Sequence, residues 1–349
     1  MNKSNFDLVE IGNYLKKSQN EFKLNLEGLN ILTEAATYNY SVTSVIAALG
    51  GAKAVFAIAK DSIYGTIKDI LNHVLFLASY LKVQDKIKII QSINDIDLRN
   101  INVVTNSGFV RPIDKNIINK LESGNLILLM YEPWEFRDID IDLQLCKEKK
   151  ISVWGINESN KKLNIFYYLG YAVLDILLNN HILPFISKIL LIGFPLMIGK
   201  IYKILRLNNY KVFKVVDYNF KIDEKFLSKF DSIIVAENIR NNLIIGNSKD
   251  SFINVKYIKN DCFVLHVAGN VDFSKVDFKY FPININKFPY MSIRADYLSY
   301  KILSRLQFAN FKVAQGFFFA KKMGLSVFER KQFIEKYYFG KALNDKDFW

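Results

Sequence analysis

The sequence predicts an α/β chain of two doubly wound parallel-sheet domains, and three observations carry that expectation. Strand-like apolar runs alternate with helix-length periodic segments from residue 29 to about 155, the pattern of parallel strands joined by crossover helices. A helix that is apolar nearly all round, Ile165 to Leu178, follows, and a second strand–helix series starts at Lys188. At 349 residues, the chain is longer than one hydrophobic core usually fills.

Taken in order, Leu29 to Leu32 reads as a strand and Val42 to Leu49 as the helix after it. Ala54 to Ala59 is the next strand, followed by an amphipathic helix from Thr66 to Leu81. Ile87 to Ile90, Ile101 to Thr105 and Leu126 to Met130 are further β-rich runs, with Ile113 to Leu121 and Leu143 to Lys149 as helices between and after them. A strand is also expected just before Asn157. All-round apolarity makes Ile165 to Leu178 a buried helix, expected between the two domains. Lys188 to Ile192, Lys211 to Val216, Ser232 to Val235 and Phe263 to Val267 are the strands of the second series. The tail from Ala295 reads as helical and is expected to pack back on the first domain. The domains are thus drawn at 1–162, 163–290 and 291–349, with a cleft between the two sheets' domains.

Composition narrows the function classes. Cys146 and Cys262 are the two cysteines, far apart and outside any CxxC pair, so neither a disulfide framework nor a zinc site is expected. Three histidines, with no HxH or HxxxH, point to no metal. Met1 to Lys17 is polar and charged without an apolar core, which argues against a secretory signal. The longest apolar run, Ile182 to Ile198, is interrupted by Pro184, Lys188 and Pro195, so it suits a buried strand–turn–helix better than a membrane span. A cytoplasmic protein is expected. The formal charge of +13 comes from lysines scattered along the chain, with no arginine-rich block, so neither nucleic acid nor a membrane is an expected partner. A small-molecule substrate is, and the aromatic content of 14% is compatible with a homodimer.

The segment Gly193-Phe-Pro-Leu-Met-Ile-Gly199 lies between a hydrophobic strand and a helical pattern. That is the context of a Rossmann turn, whose backbone N–H groups at the helix start hold a pyrophosphate. Asp217 ends the next strand at the spacing of a ribose-hydroxyl partner, which favours NAD over NADP. Gly193, Gly199 and Asp217 are therefore the expected cofactor-binding residues, and both domains are read as Rossmann-like. Pro195 stands where the second glycine belongs, adding bulk and removing an N–H.

The run Asp140-Ile-Asp142-Leu143, then Cys146-Lys-Glu-Lys-Lys-Ile151-Ser-Val153, the helix to Leu178 and the strand to Gly193 together resemble the D-2-hydroxyacid dehydrogenases. The resemblance covers residues 135 to 270 and, in architecture alone, the N-terminal third. It implies two Rossmann-like domains, a nicotinamide dinucleotide and oxidoreductase chemistry. The chain also departs from that family. Leu265-His-Val-Ala-Gly269 lacks the arginine before its glycine that would bind a substrate carboxylate, and Phe288 to Asp296 holds no histidine for an acid/base pair. Ordinary 2-hydroxyacid oxidation is therefore not expected.

Four polar loops follow apolar strands: Thr33 to Thr37, Asn106 to Asp114, Tyr131 to Asp138, and Gly155 to Glu158. Ligands of open parallel sheets bind beyond strand C-termini, where these loops fall. Arg111, Glu132, Glu135 and Asn157 are the expected substrate-binding residues, and His266, Glu34 and Arg137 the expected catalytic ones. Each has a plainer alternative. Arg137 could pair with a glutamate to fix its loop, Arg111 could bridge to Asp114, and Glu34 could favour a helix N-terminus. His266 could be a satisfied core residue. The expected function is an NAD(P)-dependent oxidoreductase-like enzyme acting on a small hydroxylated metabolite, a sugar-derived one among the candidates. The alternatives are a redox-neutral lyase or hydrolase keeping NAD as a prosthetic group, and a degenerate Rossmann pair acting as a scaffold.

Overall fold

The computed structural model describes residues 7–219 and 222–343, so expectations for residues 1–6 and 344–349 lie outside it. The chain opens with helix α1 (Leu8–Phe22), whose N-terminus is capped by the Asp7 carboxylate accepting from the N–H groups of Val9 and Glu10. Strand β1 (Asn30–Glu34), α2 (Val42–Leu49), β2 (Ala54–Ile58), α3 (Ile67–Tyr80) and β3 (Ile87–Ile90) follow. Next come β4 (Val103–Thr105), α4 (Lys115–Ile118), β5 (Leu126–Leu128), α5 (Leu143–Glu148) and β6 (Ser152–Ile156). The second series is α6 (Ile165–Asn179), β7 (Lys188–Gly193), α7 (Pro195–Leu207), β8 (Lys211–Val215), α8 (Glu224–Leu227) and β9 (Ser232–Ala236). It continues with β10 (Leu243–Gly246), β11 (Ile253–Asn254), β12 (Phe263–Ala268), β13 (Asn270–Val271) and β14 (Lys279–Phe281). The chain closes with α9 (Tyr300–Lys322), α10 (Val327–Tyr337) and β15 (Gly340–Ala342).

These elements form two compact units, one of Met1–Leu163 with Ser299–Trp349, the other of Asn164–Leu298. The sheet of the first unit runs β15-β6-β5-β4-β1-β2-β3 and is parallel except for β15, which pairs antiparallel with β6. Strands β1 and β4 are neighbours, with β2 and β3 on one side and β5 and β6 on the other. The direction of winding therefore reverses between β1 and β4, and ligands of doubly wound sheets bind where it reverses. One face packs Ile113, Ile117, Ile118 and Cys146 against Leu32, Val104, Ile127 and Val153. On α9, the residues from Phe308 to Phe311 are fully buried, and the helix touches α1, α2, β5 and β6. Strands buried on both faces read as unbroken apolar runs, which is why they were visible in the sequence.

The second unit holds a five-stranded parallel sheet, β14-β12-β9-β7-β8, and a small three-stranded one, β11-β10-β13. Its core joins Leu190, Ile192, Ile233, Val235 and Val264 to Ile244, Ile245 and Phe278. Helix α6, fifteen residues long, is the apolar helix expected over Ile165 to Leu178, and Gly170 on it sits against Ile204 of α7, where a Cβ would come within 2.8 Å of the isoleucine side chain. Both cysteines are free and buried, and burial pushes each thiol up to about 12. Among the described residues, no helix is long and apolar enough to cross a membrane.

Candidate functional site

Three of the four polar loops meet at the reversal point of the first sheet. Glu34 ends β1, and one of its carboxylate oxygens accepts the Phe109 N–H at 3.3 Å, tying the loop after β1 to the loop after β4. Beside it, the buried hydroxyls of Thr33, Thr105 and Ser107 form a chain with links of 2.8 and 2.9 Å. The third loop, after β5, brings Asp140 in as the hub. Only 3% exposed, Asp140 receives Arg137 through Nε and Nη2, both at 2.7 Å from one oxygen. The same oxygen accepts from the Tyr131 hydroxyl at 3.1 Å, and Arg111 stands 3.6 Å away. Arg137 also lies over the Tyr131 ring, 4.9 Å from its centre.

Backbone holds the hub in place: the Ile113 N–H donates to the Asp140 carbonyl at 2.8 Å, so the Arg111 loop and the Asp140 loop run side by side. Two polar atoms of the cluster are left over. The Asn106 side-chain oxygen, on a residue 1% exposed, and Arg111 Nε have no hydrogen-bond partner among the described residues. Unsatisfied buried polar atoms are costly in a fold, and an unpartnered acceptor and an unpartnered donor in one cluster suit a ligand carrying both functions. Arg137 thus pairs with Asp140, and Arg111 faces Asp140 while Asp114 caps α4. Asp140 and Asn106 were missed as site residues. The spacing of Asp140, three after Arg137, was the available signal.

Glu132 does not belong to this group, which corrects its reading as a substrate ligand. It is fully buried and turned toward β6, where its carboxylate accepts from the N–H groups of Glu158 and Ser159 at 2.7 and 3.3 Å. Lys341 of β15 reaches it at 3.0 Å. Its bonds are spent inside the fold. Glu135 is half-buried, and burial pushes its carboxyl up to about 7, with the Glu132 charge adding to the rise and Arg137 opposing it. Glu158 is pushed well up by burial first and by Glu135 and Glu132 next. Asn157 is half-buried at the end of β6, its backbone N–H donating to Phe339 at 2.8 Å.

In the second unit, β7 leads into α7 through Phe194 alone. Gly193 has φ +148°, and a Cβ there would lie 2.1 Å from the Ala236 carbonyl oxygen, so glycine is obligatory. Pro195 takes the first helical position, where an N–H has no intrahelical partner to lose. Gly199 is a correction: it is exposed, a Cβ there would meet nothing within 4 Å, and buried Ile198 fills the place of the third glycine. Asp217 is exposed and caps its own turn by accepting the Asn219 N–H at 3.1 Å. Glu237, 2% exposed after β9, accepts from Ile239 N–H at 2.8 Å and the Tyr218 hydroxyl at 3.0 Å.

His266 is a third correction. It is fully buried on β12, with Nδ1 2.9 Å from the Ser292 hydroxyl and Nε2 2.9 Å from the Gly269 carbonyl. A carbonyl only accepts, so Nε2 carries the proton and Nδ1 accepts from Ser292. Burial lowers the pKa further, and the neutral ring is a strut with both nitrogens occupied.

No protein-family model and no curated protein matches the chain. Among solved structures, a dipicolinate synthase component from Bacillus halodurans is similar over 81% of this chain and 96% of that one, with 11% identity and a TM-score of 0.51. Its counterpart in the dipicolinate synthase from Bacillus subtilis is similar over 84% and 98%, with 10% identity and a TM-score of 0.50. This chain shares their fold. NAD+-bound 3-phosphoglycerate dehydrogenase from Entamoeba histolytica also resembles it, over 84% and 96%, with 12% identity and a TM-score of 0.47. The α/β fold with parallel sheets read from the sequence therefore stands.

The turn after β7 fits a dinucleotide with one donor fewer than usual. Gly193 keeps the tight strand-to-helix turn, and the N–H groups of Leu196 and Met197 head α7, where no intrahelical acceptor exists for them. Asp217 stays exposed after the neighbouring strand. Pro195 withholds the remaining donor.

Proposed function

We propose that this protein is an NAD-dependent oxidoreductase-like enzyme acting on a small hydroxylated metabolite that carries a carboxylate or phosphate. The observation that supports the reading most is the arginine pair on Asp140. Arg137 is locked to the buried carboxylate, while Arg111 stands off at 3.6 Å with its side chain 25% exposed and its Nε unpartnered. An arginine held that loosely can turn its fork to an incoming anion without breaking the loop that positions it. Asn106 would accept from a substrate hydroxyl, and Glu34, at the same reversal point, would move the proton, since His266 is committed to the fold. Leu196, Met197 and Asp217 would hold the dinucleotide, which when bound supplies hydride transfer.

Calorimetric titration with NAD and NADP, and mass spectrometry of small molecules released on denaturation, test the cofactor. Thermal-shift screening of hydroxycarboxylates and sugar phosphates on wild type and Arg111→Ala tests the anion grip. Binding of such an anion lost in the variant supports the reading; anion binding that Arg111→Ala leaves intact contradicts it. A second reading, a binding protein without dinucleotide, draws on Pro195, Ile198 and the buried Glu237 beside the turn. Absence of both NAD and NADP binding, with anion binding retained, would favour it.

A further inference from the structure

The end of the second unit where its strands begin carries a surface that the proposed function does not use. From Ile176 to Val216 the chain holds Lys188, Lys200, Lys203, Arg206, Lys211 and Lys214, and neither Asp nor Glu. The fold gathers three of these cations. Lys188 and Lys211 are register partners at the first residues of β7 and β8, and Arg206 lies in the last turn of α7. Parallel strands all begin at the same end, and the helix that precedes β8 must finish there.

Large apolar side chains stand in solvent at that same end. Phe185 is 69% exposed, Ile186 72% and Leu207 67%. The Phe185 N–H donates to the Asn209 carbonyl at 3.0 Å, which fixes this loop against the turn between α7 and β8. Phe185 has φ +67°, a left-handed conformation that costs a bulky residue energy, and no burial of its ring offsets the strain. Of the acidic side chains at this end, Asp231 and Asp261 face Lys259, at 3.6 and 3.7 Å, Asp231 also accepts the Lys188 N–H at 2.7 Å, and Asp277 precedes β14. Positive charge remains in excess.

We propose that this surface docks peripherally on an anionic lipid bilayer. Phe185, Ile186 and Leu207 enter the headgroup–acyl boundary, while Lys188, Arg206 and Lys211 meet lipid phosphates. This departs from the sequence expectation of no membrane partner, which rested on the scatter of lysines along the chain. A nucleic-acid site would account for the cations but not for two exposed aliphatic side chains at the same end, since bases stack on aromatic rings. Self-pairing about a twofold axis would set the three cations near their own copies.

The test is co-sedimentation of the full chain with vesicles of phosphatidylcholine alone and of phosphatidylcholine mixed with phosphatidylserine. Two variants accompany it. Phe185→Asn with Ile186→Ser removes the apolar trio's tip, with asparagine at home in the left-handed conformation, and Lys188→Gln with Lys211→Gln removes charge. All four side chains are exposed, and circular dichroism checks that both variants fold. The expected result is sedimentation with anionic vesicles alone, weakened by salt and reduced about fivefold per lysine, or roughly thirtyfold for the pair. The apolar variant loses binding as well. No sedimentation with anionic vesicles, equal sedimentation with neutral ones, or binding that survives both variants would overturn the proposal. So would binding to a single-stranded oligonucleotide, or self-association, that these variants abolish while vesicles are ignored.

Discussion

Glu135→Gln is expected to raise stability at neutral and mildly alkaline pH while leaving it unchanged in acid. Burial pushes the Glu135 carboxyl from the ordinary 4.5 up to about 7. The folded chain therefore keeps a proton that the unfolded chain releases. Between those two values the folded state binds more protons, so unfolding free energy falls as pH rises. The contribution is fully present below the unfolded value and gone above about 7. At roughly 1.4 kcal/mol per tenfold change in proton activity, the span from 4.5 to 7 sets an upper limit on the order of 3 kcal/mol. Partial exposure of the loop and coupling to Glu158 bring the expected effect to about 2 kcal/mol. Glutamine has the same shape and no charge to desolvate. Urea unfolding from about pH 4 to about pH 8 should show the two proteins nearly equal at the acid end and the variant ahead at the other. Parallel curves across that range would refute the reasoning.

Three further outcomes follow from the same geometry. Asp140→Asn leaves Arg137, 11% exposed, against a neutral amide, and should lower unfolding free energy by about 3–4 kcal/mol in denaturant titration; a loss under about 1 kcal/mol would deny Asp140 its role as hub. Gly193→Ala places a Cβ 2.1 Å from the Ala236 carbonyl oxygen and should cost more than about 3 kcal/mol, so a wild-type melting temperature would contradict the turn as described. His266→Phe strips partners from the Gly269 carbonyl and the Ser292 hydroxyl, with an expected loss of about 2–3 kcal/mol and unchanged ligand affinity by calorimetry. Full stability with affinity abolished would return His266 to the active site.

Long elements were legible because tertiary burial agrees with local pattern. Helix α2 and strand β3 carry the bounds read from the sequence, and α6 differs by one residue at its end. The small sheet of β10, β11 and β13 was not legible, since two of its strands are two residues long and Asn-rich sequence surrounds them. Nor was β15, three residues whose pairing depends on Gly340, where a Cβ would crowd Ile334 and Trp154. Helix α1 was overlooked because the charges of residues 8–22 hid the stripe of Ile11, Leu15 and Phe22 that it buries. Among site residues, the loops were readable from strand ends, but the direction of each side chain was not. Glu132 and Glu135 lie three apart, yet one is sealed against β6 and the other sits near Arg137. For His266 the usual alternation of inward and outward positions offered no help, because all six residues of β12 are buried.

The first sheet is assembled from two stretches of chain separated by the whole second unit. During synthesis, residues 164–298 leave the ribosome complete, with both sheets of the second unit able to close, while the first unit still lacks α9 and β15. Until α9 arrives, the neighbours it will touch, α2 and β5 among them, lack that cover, and β6 remains an open edge until β15 joins it. The nascent chain thus carries its greatest risk of mispairing in its earliest-made domain. A truncation ending before residue 299 should therefore yield a folded second unit joined to an aggregation-prone first one.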